Sequence, residues 1–241
     1  GNVFNYTQIR NANIGLQVGT LEHEGNATAT IANTTIQNMA YAGIFAIKSK
    51  ISGYNTVVAN CGFYAMALLV GGEYEFYHTT IANYWRSFTR KPRSTSSLAI
   101  SNFVQYLNAD GSKNVFRGDL NKAFFGNSII YGNYPLELEL GNNGENNFNY
   151  YFDHCILQVP DTFNIADRNH YSNVWKGKDF DPKFKDPYQK LNFELDTLSP
   201  AKDKGNTAFS RMFPFDLKGL DRTADKGPDL GAYERFEKKT P

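Results

Sequence analysis

The sequence predicts an all-β protein, a single-stranded, right-handed parallel β-helix closed by an irregular C-terminal segment. Three observations carry that prediction. A short motif (small polar residue, spacer, Ile or Val, spacer, Asn) recurs along the 241 residues. After each copy a small-residue turn leads into another short apolar strand. No window holds a helical period beyond a turn or two. Self-similarity at roughly 20–50 residues marks a solenoid or a propeller.

The copies run Thr7-Gln8-Ile9-Arg10-Asn11, Thr34-Thr35-Ile36-Gln37-Asn38, Thr56-Val57-Val58-Ala59-Asn60 and Thr79-Thr80-Ile81-Ala82-Asn83. A copy stretched by one residue spans Ser128 to Asn133, and a worn one is His154-Cys155-Ile156-Leu157. The intervals between their small residues are 27, 22, 23, 49 and 27, and the 49 leaves room for one degenerate copy. The accompanying strands include Ile14-Gly15-Leu16-Gln17-Val18, Gly43-Ile44-Phe45-Ala46-Ile47, Ala65–Val70 and Leu136–Leu140. Stacked at ~4.8 Å, like positions form columns. About seven coils then extend roughly 30–35 Å. Ile9, Ile36, Val58, Ile81 and Ile130 make an aliphatic column, and the Thr/Ser position suits a tight corner. Asn11, Asn38, Asn60, Asn83 and Asn133 are expected to bond coil to coil as an amide ladder, since each amide both donates and accepts. Asn60, in mid-stack, is expected to be buried.

Composition narrows the function classes. A net charge of +1 argues against a dedicated nucleic-acid binder. Cys61 and Cys155 lie in distant repeats, too far apart for a disulfide, and read as buried free thiols. No run of ~18 apolar residues is present, so no transmembrane segment is expected. The chain opens on Gly1, inside a repeat and without a signal peptide. That opening predicts that N-terminal coils and a targeting segment have been lost.

Two regions break the rhythm. Residues 84–97 carry Arg86, Arg90, Lys91 and Arg93 with no acid and read as a loop insertion. Beyond Val159 the repeat fades, so the coils are expected over about 1–159. Residues from about 160 to 241 are expected to wrap and cap them, the whole being one domain.

That tail holds Asp181-Pro182-Lys183-Phe184, then Leu198-Ser199-Pro200-Ala201-Lys202-Asp203-Lys204-Gly205, then Asp216 to Arg222, then Asp229-Leu230-Gly231-Ala232-Tyr233-Glu234. The order SPA-x-D-x-G, D-x-x-G-x-x-R, D-L-G-A-Y-E resembles the C-terminal signature of bacterial right-handed parallel β-helix surface proteins with a choice-of-anchor sorting tail. Ala123 to Asn133 also resembles the coil that precedes this tail. The resemblance covers roughly residues 120–235. It implies an exported protein at the cell surface, outer membrane or outside the cell. Members of the wider pectin-lyase-like superfamily cleave or bind polysaccharides.

A polysaccharide lyase needs carboxylates on adjacent coils to hold Ca²⁺, with an Arg or Lys as base. A glycoside hydrolase needs two carboxylates across one groove. The outward residues expected on strands, Gln17, Lys48, Glu137 and Glu139, form no such cluster, although Glu137 and Glu139 should share a face. His78, Asp153, His154 and Asp167-Arg168-Asn169-His170 follow no metal-ligand spacing. The sequence therefore assigns no catalytic residue, metal or cofactor. Tyr84, Trp85, Arg86, Arg90 and Arg93 are the candidate ligand contacts, rings to stack on sugars and cations to meet acidic groups. The expected function is a non-catalytic carbohydrate-interaction or structural module, monomeric, with polysaccharide as partner. The alternative is a polysaccharide lyase or glycoside hydrolase of acidic glycans, whose catalytic coils either lie in the lost N-terminal part or escape the alignment of the repeats.

Overall fold

A computed structural model describes residues 1–22, 27–85 and 93–236. Fourteen strands form one sheet, joined side by side in parallel and curled round an axis as a parallel β-helix. The pairings fall into three faces. The first stacks Asn2–Asn5, Thr28–Ala32, the ends of Ala42–Tyr54 and Tyr64–Tyr77, and the starts of Leu120–Gly132 and Phe148–Leu157. The second stacks Gln8–Arg10, Thr35–Met39, Val57–Cys61 and Thr80–Asn83 with the end of Leu120–Gly132. The third stacks Ile14–Val18, the starts of Ala42–Tyr54 and Tyr64–Tyr77, Leu98–Ser101 and Leu138–Gly141.

The columns explain the repeated letters. Ile9, Ile36, Val58, Ile81, Ile130 and Leu157 are register partners, buried from Ile36 onward. On the first face Phe76, Phe125, Phe152 and Tyr171 stack at centroid spacings of 5.4, 5.1 and 5.9 Å. One coil earlier that column holds Gly53, where a Cβ would sit 2.5 Å from the Phe76 ring. The Thr/Ser position is a turn brace. Thr7, Thr34, Thr56, Thr79 and Ser128 each donate their hydroxyl to the carbonyl two residues back, and Cys155 does so with its thiol. The bend is left-handed at the residue before each brace: Tyr6, Asn33, Asn55, His78, Asn127 and His154 all have φ between 46° and 52°. Such a conformation costs most residues ~1–2 kcal/mol, and Asn bears it best among side chains with a Cβ.

The amide ladder is shorter than expected. Asn60 donates to Asn38 (3.2 Å), and Asn38 to Asn11. Asn60 itself is half-buried rather than buried. At Asn83 the ladder stops, because its side-chain oxygen accepts from the Cys61 amide (2.9 Å). Asn133 instead donates to the Trp85 carbonyl and accepts from Arg93. A second ladder stands beside the first, Asn55 to Asn33 to Asn5, at 3.0 Å per rung.

Three further expectations change. Among its described residues the 49-residue interval holds no degenerate copy, since Thr80–Asn83 pairs directly with the end of Leu120–Gly132. It contains the insertion, the third-face strand Leu98–Ser101 and an antiparallel hairpin of Phe103–Leu107 with Lys113–Arg117. The stack also continues past residue 159, since Tyr171–Lys176 pairs in parallel with Phe148–Leu157. Finally, the long C-terminal segment lies along the side of the stack rather than over its end. Val159, Phe163 and Ile165 pack against the core between those last two strands. Beyond them Phe184, Phe193, Leu195, Ala201, Leu230 and Ala232 cover the apolar outer side of the second face: Val57, Ala59, Ala82, Ile129 and Ile156. Cys61 and Cys155 are buried and free.

Candidate functional site

The insertion is anchored at both ends. Tyr84 is buried, edge-on to Phe184 and Tyr188 at 6.2 and 5.0 Å. Trp85 is half-buried, its amide 3.4 Å from the Asn83 side-chain oxygen. Arg93 is buried in an ion pair with Glu137 and donates to the Asn83 carbonyl (3.0 Å). Glu137 also accepts from the Ser97 amide and hydroxyl and from the Tyr134 amide, at 2.6–2.8 Å. The expectation that Glu137 faces outward beside Glu139 is therefore corrected: Glu139 is exposed, while Glu137 has no exposed surface and binds the insertion to the next coil. Arg86, Arg90 and Lys91 lie outside the described residues. Of the five candidate contacts, Tyr84 and Arg93 serve the core, so they cannot meet a ligand at the surface.

The tail motifs also serve the fold. Three of the left-handed residues, Asn55, His78 and Asn127, meet tail residues with their side chains. Asn127 takes the Asn206 amide at 2.7 Å, and His78 Nε2 lies 3.1 Å from Ser210 Oγ. Asn55 donates to the Phe215 carbonyl (2.7 Å) and accepts from Arg222 (3.1 Å). Arg222 is fully buried and pairs with Glu234 at 3.0 Å. Asp216 accepts from the amides of Lys218, Leu220 and Glu234, and Asp229 from those of Asp203 and Arg235. Burial pushes Asp229 up to about 7 and Glu234 up to about 9, and holds His78 well below its usual value. The Ser210–His78 contact has the spacing of a nucleophile and base, but both residues are fully enclosed. These acids and the histidine are structural.

A groove remains on the outer side of the first face. Here alternate residues of each strand point outward in register: Lys50, Glu73 and Lys122 in one row, Ser52, Glu75, Phe124 and Tyr151 in the next. Three hollows follow these rows. One of about 340 Å³ is bordered by Lys48, Arg117 and Asp119, and another of about 340 Å³ by Thr30, Ser52 and Glu75. Both share Lys50 and Glu73. The third, about 320 Å³, shares Lys122 with the second and is lined by Phe124, Asn149, Tyr150, Tyr151, Asn169 and His170. The three run together across successive coils.

The charges in the groove answer one another. Lys50 pairs with Glu73 at 2.9 Å, Lys122 with Glu75, and Arg117 with Glu145 at 3.2 Å. At the aromatic end the His170 ring lies flat on Tyr150, centroids 4.0 Å apart, with Nδ1 3.0 Å from the Tyr150 carbonyl. That bond makes Nδ1 the donor, and Nε2 lies 3.9 Å from the Asp167 carboxylate. Phe124 and Tyr151 stack at 6.2 Å with 8° between planes. Phe209 and Phe213, in and just after the short helix α1 (Thr207–Met212), cover the neighbouring outward rings Tyr54, Tyr77 and Phe124. Tyr151 is the last rung of its row.

Sequence reasoning passed over these groove residues. The signal lay in the doublets Phe124-Phe125 and Tyr151-Phe152: on a strand, adjacent aromatics must face opposite sides, one into the core and one out. His78, Asp153–His154 and Asp167–His170 fall in separate places, and among the described residues no three His, Cys, Asp or Glu gather as a metal site. Compared with protein-family models, curated proteins and solved structures, the chain matches none.

Proposed function

We propose that the protein is a non-catalytic carbohydrate-interaction module whose ligand lies in the groove of the first face. The observation that carries this reading is the groove's aromatic end. There Tyr151 closes an outward stack beside Asn149, Asn169 and His170, with ring surface for a sugar's C–H face and amides for its hydroxyls. Tyr151 and Asn149 sit on a stacked strand, which fixes side chains more rigidly than a loop insertion does, and Asn169 and His170 come from the turn that leads into the next strand. The resemblance of the tail motifs supports placing this monomeric module on an exported, surface-associated protein. A glycan array compares wild type with Tyr151→Ala. Binding by wild type that the variant loses is the expected result. Equal binding by both would move the site elsewhere.

A second reading, glycan cleavage, draws on Glu73 and Glu75. They are two apart on one strand, face the same groove, and lie roughly 6.5–7 Å apart at the strand rise, within the spacing of a hydrolytic pair. Each is instead engaged by a lysine and open to water, at 41% and 37% side-chain exposure, without the apolar enclosure a general acid needs. Release of reducing ends or unsaturated products from a glycan panel, lost in Glu73→Gln, would favour this reading over the first.

A further inference from the structure

The chemistry of the aromatic end selects among glycans. We infer that it takes a neutral sugar ring, seated as the next rung above Tyr151, and not an acidic one. This rests on the carbohydrate reading of the groove. The row Ser52, Glu75, Phe124, Tyr151 advances one residue per coil, and its last two members are parallel rings. In the core row alongside, Tyr171 of the following coil covers Phe152 at 5.9 Å. In the outer row the following position is His170, whose ring has turned onto Tyr150. The stacking position over Tyr151 is thus left to the hollow of about 320 Å³.

Charge around that position is compensated. The one ammonium lining the hollow, Lys122, is held by Glu75 and sits over the Phe124 ring at 6.0 Å. A carboxylate or sulfate placed there would meet Glu75 together with Lys122 and gain little. What reaches the hollow besides rings is Asn149, Asn169 and the imidazole of His170, groups that exchange hydrogen bonds with hydroxyls. Lys48, which has no ion-pair partner among the described residues, borders a different hollow.

The test is calorimetric titration with neutral hexasaccharides of glucose, mannose and xylose, and with oligogalacturonate and heparin, in about 50 and 500 mM NaCl. The expected result is binding of a neutral hexasaccharide, changed less than about two-fold by salt, since no ion pair is formed. Tyr151→Ala should weaken it at least about tenfold and Tyr151→Phe much less, because the ring face makes the contact. Tyr106→Ala, on the hairpin, should leave it unchanged. Binding confined to the acidic probes and suppressed by salt would overturn the neutral-sugar inference while keeping the carbohydrate groove. No binding to any probe would overturn both.

Discussion

Arg222 donates to the side-chain oxygen of Asn55 across 3.1 Å, although 167 residues separate them. Asn55 sits at a left-handed bend with φ 48°, one of the series that turns each coil into its second face. The residue that shapes the coil is therefore also the residue that receives the tail. Arg222→Ala should cost about 3–5 kcal/mol, since it strands Glu234 and Asn55 in a buried site. Urea denaturation measures it. A loss under about 1 kcal/mol would mean that the tail is held by its apolar contacts alone.

The same cluster should make stability depend on pH. One guanidinium faces Asp216, Asp229 and Glu234, and burial raises Asp229 to about 7 and Glu234 to about 9. The folded cluster thus keeps protons that the unfolded chain releases near pH 4. Stability from a raised pKa is complete below the unfolded value and is lost as pH rises through the folded one. His78 acts oppositely, its contribution lost as pH falls below about 6.5, so measurements belong above about pH 7. Between about pH 7 and 9, wild type should lose stability relative to Glu234→Gln. The comparison cancels the two buried thiols, whose pKa values burial also raises. A constant difference across that range would show that Glu234 is ionised throughout.

Asn60 separates two roles of the ladder residues. Its φ is 54°, and its amide donates to Asn38 at 3.2 Å. Asn60→Gly keeps the bend and loses the bond, at about 0.5–1.5 kcal/mol. Asn60→Ala loses both, adding about 1–2 kcal/mol for a left-handed residue with a Cβ. The melting order should be Asn, then Gly, then Ala. An Ala variant that melts with wild type would contradict both roles.

The fold was legible because stacking repeats its letters. Ile36, Val58 and Ile81 occupy equal environments, so a column seen in the structure is a period in the chain. The brace at Thr34, Thr56 and Thr79 was visible as a letter, but its bond to the carbonyl two residues back was not. Asn83 and Asn133 carry the ladder's letter without its bonds, because Asn83 accepts from the Cys61 amide and the insertion brings Trp85 and Arg93 against Asn133. Arg93 and Glu137 looked like surface charges; only the contact between residues 44 positions apart shows that they neutralise each other in the interior. The groove was hidden for a different reason. It is made of the outward halves of strands whose inward halves carry the repeat, and outward residues are free to differ from coil to coil.

Whether a sugar takes the place above Tyr151 is measured most directly by NMR of ring-labelled tyrosine, with the Tyr151 signal identified through Tyr151→Phe. The titrant is the hexasaccharide with the highest array signal. Ring resonances of Tyr151 and its neighbour Tyr150 should shift and saturate together, while those of buried Tyr84 and of Tyr106 on the hairpin stay in place. Shifts at Tyr106 with Tyr151 unmoved would contradict the groove as the binding face.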